Sequence, residues 1–243
     1  MMYKKLVALR SDLHGRMRYT PPTTTNYAAT EIQTPLLAEE IGRSADVFPI
    51  VFQSETNPVP IAILGLQENT SYFVDQQGNW KAHYTPMSFN NYPFKLVKKP
   101  AEAGGADDLD YVVTFDEESG LVQEENGKLL YNKSGKSGMR PSPLLKEIMD
   151  QLGDYQKKLE QTVSIFQPLV EHKVLKAQKI NLGNSEQPFT IGGTAGIDWK
   201  AVTQLDDAIL AEWVRSGLMY LITMQRSSLR HFTPMLENVP AEA

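Results

Sequence analysis

Gly135-Lys136-Ser137 is the closest this chain comes to a phosphate-cradling loop. Such a loop needs a further glycine five positions ahead of Gly135, so that successive backbone N–H groups wrap the phosphates, and position 130 is Leu. A flexible turn accounts for the triplet. His14, His83, His172 and His231 show no His-x-Asp, His-x-x-x-His or His-Glu-x-x-His spacing, so no local pair presents two ring nitrogens to a metal. The acidic group Asp107, Asp108, Asp110, Asp116, Glu117 and Glu118 invites a calcium reading. Counted from Asp116, however, the position that must supply a bidentate glutamate is Gly127. It reads as a solvated face. No Gly-x-Ser-x-Gly elbow positions a serine nucleophile. Cysteine is absent, which removes disulfides, thiolate metal sites and cysteine nucleophiles together. What remains for catalysis is an assembled site: Asp75 and His83 on neighbouring strands of a hairpin, joined by Asp116, in an enzyme of unknown class acting on peptides or proteins.

The dense cluster is aromatic: Phe48, Phe52, Tyr72, Phe73, Trp80, Tyr84, Phe89, Tyr92 and Phe94. Most of it belongs in a core. Its functional alternative is a groove for an extended peptide, because Tyr and Trp combine apolar area with a polar tip. On that reading the binding residues are Trp80, Tyr84, Asn90, Asn91, Tyr92 and Phe94, the asparagines offering hydrogen bonds near a sheet edge. No cofactor or metal is expected.

The elements that must position these residues begin with a loop at Thr20 to Asn26, where Pro21 and Pro22 fix φ and remove donors. Thr34-Pro35 reads as an N-cap and first helical residue, opening a short helix that ends near Gly42. Phe48–Phe52 and Ile61–Leu66 are apolar runs of strand type, the second continuous enough for burial on both faces. Tyr72–Trp80, with Gly78 in a polar turn, predicts a hairpin returning through His83 and Tyr84. Pro93 places the Phe89–Phe94 segment at a sheet edge or strand end. A Gly/Pro-rich charged loop spans Lys98 to Asp108, and Tyr111–Phe115 resumes strand character, with Leu129–Tyr131 a shorter candidate.

The strongest periodicity follows. Ser142 caps, Pro143 sits at the first helical position, and Leu145, Ile148, Leu152, Tyr155, Leu159, Val163, Phe166 and Val170 mark one face of a long amphipathic helix that Pro168 kinks or ends. Ile180–Leu182 and Phe189–Ile191 predict a second hairpin. Asp206 is placed to cap a helix through Ser216, and Gly217 breaks it before a further helical stripe. The fold class is α+β: a β-rich N-terminal half with hairpins, a long amphipathic helix and a helical C-terminus. One domain over 1–243 is expected, with a sub-division into 1–98 and 109–243 across the 98–108 loop as the alternative.

With 24 basic and 29 acidic residues among 243, the net charge is −5 and the pI near 5.5, which argues against nucleic acid as partner. A peptide or protein partner is the expectation. Leu6–Leu9 falls short of the roughly 7–15 apolar residues of an export signal, and no run approaches the roughly 20 of a spanning helix, so a soluble cytoplasmic protein without membrane insertion is expected.

At these residues the chain resembles the SapC family, bacterial proteins named for an association with surface-layer loci. The resemblance is carried by Phe48-Pro49-Ile50-Val51-Phe52, by Pro60–Leu66 with Asn69, by Phe73-Val74-Asp75 through Gly78 and Trp80, and by Tyr84-x-Pro86 leading to Tyr92-Pro93-Phe94. Gly192-Gly193, Ile197-Asp198 and the Gly217-Leu218 helix extend it along nearly the whole chain. Family members often carry arginines just before the Tyr-Pro-Phe block. Asn90-Asn91 stands there in this sequence, supplying dipoles where arginine would supply charge. The resemblance implies a link to surface-layer biology, with cell-envelope association or a structural surface-layer component as its alternatives to a binding or accessory role.

Overall fold

The computed structural model describes residues 2–99, 111–134, 138–182 and 189–236, with the side chains of 179–182 and 189–191 left aside. In chain order the strands are β1 (Leu6–Ala8), β2 (Arg18–Tyr19), β3 (Gln33–Pro35), β4 (Ile50–Phe52), β5 (Pro60–Ile63), β6 (Phe94–Lys98), β7 (Tyr111–Asp116), β8 (Val122–Gln123), β9 (Lys128–Leu129), β10 (Tyr131–Ser134), β11 (Gly138–Pro141), β12 (Leu175–Leu182) and β13 (Phe189–Ile197). The α-helices are α1 (Ser11–His14), α2 (Ile41–Ser44), α3 (Pro143–Glu171), α4 (Trp199–Val202), α5 (Asp207–Ser216), α6 (Leu218–Ser228) and α7 (Phe232–Leu236). The architecture is α+β, with strands dominating the N-terminal half and helices the C-terminal end.

Antiparallel pairing builds a five-stranded sheet in the order β12-β13-β4-β5-β3 and a three-stranded sheet in the order β1-β7-β6. β4 and β5 are buried along their whole length, as their unbroken apolar runs require of inner strands. Pro93 immediately precedes β6, an edge strand, where its missing N–H costs no ladder bond. The pairings of β7 with β1 and β6, of β2 with β8 and β9, and of β13 with β4 each join residues on opposite sides of the 98–108 stretch. Most of that stretch, Gly135-Lys136-Ser137 and the turn of the β12–β13 hairpin lie outside the described residues.

α3 forms as its spacing predicts. The Ser142 side chain accepts from the Leu145 N–H at 3.1 Å, and Pro143 opens the helix. Pro168 does not stop it: the helix runs three residues further, to Glu171. Its buried side chains are divided along its length. Leu145 and Leu152 join a core with Phe94, Phe115 and Leu130, while Phe166 and Leu169 join the main core of Phe48, Ile50, Phe52, Trp213 and Ile222.

Three local readings are corrected. Thr34-Pro35 does not open a helix; Thr34 pairs with Ala62 and Pro35 with Ile61 on the outer strand β3, and the Thr34 hydroxyl bonds Ser88 instead of capping. The Leu36 N–H still donates to Pro60, so helical turns begin only at Ala38, and Gly42 lies inside α2. The Tyr72–Trp80 hairpin reduces to one bridge, Val74 to Trp80. Asp75 accepts from the Gln77 and Asn79 N–H groups and Gly78 takes φ +80°, closing a tight turn, while Phe73 and Trp80 stack on one another against Phe48. Core burial of the rings has outcompeted strand extension. Asp206 precedes α5 but makes no side-chain cap bond.

Candidate functional site

Tyr19 closes β2, Tyr27 sits in a 3-10 turn, and Met87–Asn91 form a second 3-10 helix leading into Tyr92. These segments and one face of α3 enclose a cleft of ≈ 730 Å³. Its floor is aromatic. Tyr27 stacks on Tyr92 with centroids 4.3 Å apart and planes 11° from parallel, and meets Phe89 edge-on at 6.3 Å. A recess of ≈ 150 Å³ lined by Asn91, Tyr92, Phe94 and Leu152 adjoins it.

The helical wall carries Glu147, Gln151, Asp154 and Lys158 at spacings of four, three and four, one stripe beside the apolar one. Gln151 Nε2 donates to the Asn90 carbonyl at 3.0 Å and to Asn91 Oδ1 at 3.3 Å, tying helix to 3-10 turn. Lys158 is held by Glu39 at 2.7 Å. Glu147 and Asp154 are exposed and make no ion pair among the described residues. The wall is therefore acidic.

Electrostatics keep the tyrosines neutral. Burial raises the Tyr27 hydroxyl above its ordinary value; burial and then the Asp116 carboxylate raise Tyr92; burial and then Glu40 raise Tyr155. None supplies a phenolate at neutral pH; the Tyr27 hydroxyl donates to the Phe89 carbonyl and that of Tyr92 to Asp116. Glu40, beside the cleft, is buried and accepts from the Leu37 and Met87 N–H groups and from the Tyr84 hydroxyl. Such an arrangement can stack on an extended or planar ligand, with the Asn90 and Asn91 amides at its side. Among the described residues no group of three or more His, Asp or Glu is placed to hold a metal ion.

Of the residues singled out from sequence, Asn90, Asn91 and Tyr92 come together in the cleft, and Phe94, 2% exposed, in its recess. Trp80 and Tyr84 do not line it. The Trp80 indole donates to the Tyr84 carbonyl at 2.7 Å and packs against Phe48 and Phe89, and the Tyr84 hydroxyl serves Glu40. Asp75 is occupied by its turn and His83 is exposed. Asp116 is fully buried and accepts from the Lys4 and Lys5 N–H groups and the Tyr92 hydroxyl. Those three do not share a set of partners. Tyr19, Tyr27, Gln151 and Tyr155 were invisible as site residues, although the Glu147–Lys158 spacing was a readable signal.

A protein-family model described as SapC matches residues 9–235 of the chain. No curated protein and no solved structure matches.

Proposed function

The chain belongs to the SapC family, and on that premise we propose that it is a non-enzymatic binding or accessory protein whose cleft receives an extended segment of a protein partner. One observation carries the reading: a stacked tyrosine floor faces a helical wall whose exposed carboxylates, Glu147 and Asp154, outnumber its one lysine, itself paired with Glu39. Aromatic-lined grooves suit segments already extended, above all polyproline II, because little ordering entropy is lost on docking. The acidic wall selects lysine or arginine beside that segment through charge complementarity. The side-chain amides of Asn90 and Asn91 supply donors for the carbonyls of such a backbone, which has no internal hydrogen bonds. The surface-layer association implied by the resemblance suggests an envelope protein as the source of the segment.

Fluorescence anisotropy on the purified full chain tests this with short labelled peptides: proline-rich with lysines, proline-rich with glutamates, and Gly/Ser-rich with lysines. The first should bind most tightly. Glu147→Lys combined with Asp154→Lys, both at exposed positions, should weaken it about tenfold without lowering the melting temperature. Equal binding of all three peptides, or indifference to the charge reversal, would reject the cleft as the docking site.

A further inference from the structure

Asn91 and Tyr155 also border a second cavity, of ≈ 320 Å³, which Tyr3 and Lys95 line as well. Phe94, Leu96, Leu152 and Leu159 give it an apolar wall. Its size lies in the range of small-molecule sites, which are mostly apolar with a few placed polar groups.

Among the described residues one buried donor of its lining lacks an acceptor, and its lysine is exposed. The Tyr155 hydroxyl is buried and has no hydrogen-bond partner among the described residues. Ser88, which lines this cavity and not the larger cleft, lies beside that hydroxyl, and its own hydroxyl is engaged with Thr34 at 2.6 Å. An unsatisfied buried hydroxyl is costly, so such a group points to a ligand acceptor. Lys95 makes no ion pair among the described residues; its ammonium rests 5.3 Å from the centre of the Tyr3 ring. Glu31, also in the wall, already accepts from the Met2 N–H. Lys95 is the one cation lining the cavity among the described residues, so Tyr155 is left to an uncharged acceptor. Negative charge belongs at Lys95.

We propose that this cavity binds a small acyl amphiphile of the N-acyl amino acid class: an alkyl chain against the leucines, an amide carbonyl accepting from Tyr155, and a carboxylate at Lys95. The site adjoins the peptide cleft and shares Asn91 and Tyr155 with it, whereas Lys95 lines this cavity and not the larger cleft.

Isothermal titration of the full chain with N-octanoylglycine, its methyl ester and octylammonium tests the assignment. N-octanoylglycine should bind saturably with one site and more tightly than its ester, and octylammonium should not bind. Tyr155→Phe, which keeps the ring, should weaken N-octanoylglycine about five- to tenfold. Lys95→Gln should abolish the preference for acid over ester while leaving peptide anisotropy unchanged, which separates failure here from failure of the peptide reading. Absence of saturable binding to the unmodified chain, or full affinity in both variants, would overturn the proposal.

Discussion

Glu40 concentrates the energetics of the site at one side chain. It is 1% exposed, and burial raises its carboxyl above the ordinary value despite three donors that favour the charged form. A folded-state value above the unfolded one means that the folded chain holds the proton more tightly. Its stabilising contribution is complete below the ordinary carboxylate value and is lost as pH rises through the raised one. Thermal melts from about pH 4 to about pH 7 should therefore show the unmodified chain losing stability relative to Glu40→Gln as pH climbs. A constant difference would mean that Glu40 does not titrate differently on folding. Tyr84→Phe removes a donor to the same carboxylate, 2.7 Å away. Urea unfolding at neutral pH should show a loss of about 1.5–3 kcal/mol, the range for hydrogen bonds to charged groups.

At the scale of elements, α3 offers the cleanest pair of opposite signs. A methyl group at Gly153 would meet nothing within 4 Å, so Gly153→Ala should stabilise the chain by about 1 kcal/mol through helix propensity alone. Ser142→Ala removes the cap and should cost about 1 kcal/mol; denaturant midpoints read both. This helix was legible because its cap, its first-turn proline and its apolar stripe lie in one continuous stretch. Thr34-Pro35 carries the same cap grammar, yet the Ala62 and Ile61 partners that hold it in β3 are distant in sequence, and local grammar cannot weigh them. The Phe73 and Trp80 rings were legible as apolar, but not that stacking on Phe48 would leave one bridge where a hairpin was expected. The cleft divides the same way. Asn90, Asn91 and Tyr92 are contiguous and stood out; Tyr19, Tyr27 and Tyr155 come from separate segments that only the fold brings together.

Across the whole molecule, α3 is the spine. At 29 residues it is about 43 Å long, enough to pass all three apolar cores: Leu145 and Leu152 in one, Leu159 and Val163 against the second, Phe166 and Leu169 in the main one. The cleft lies where its polar stripe meets the N-terminal segments, and those are fastened at Asp116. This buried carboxylate accepts from the Lys4, Lys5 and Glu118 N–H groups and from the Tyr92 hydroxyl, so one side chain anchors β1, β7 and the cleft floor. Asp116→Ala would strand several donors at once, each costing about 1–3 kcal/mol if it stays buried. The chain's least costly response is to release its N-terminus to water. Hydrogen exchange should then rise at residues 4–8 and at Tyr92, with the C-terminal half of α3 protected as before, because its contacts belong to the second and main cores. Peptide binding should fall with it, since the ring stacked on Tyr27 loses its tether. A uniform rise in exchange along the chain would instead make Asp116 a determinant of global stability with no particular hold on the cleft.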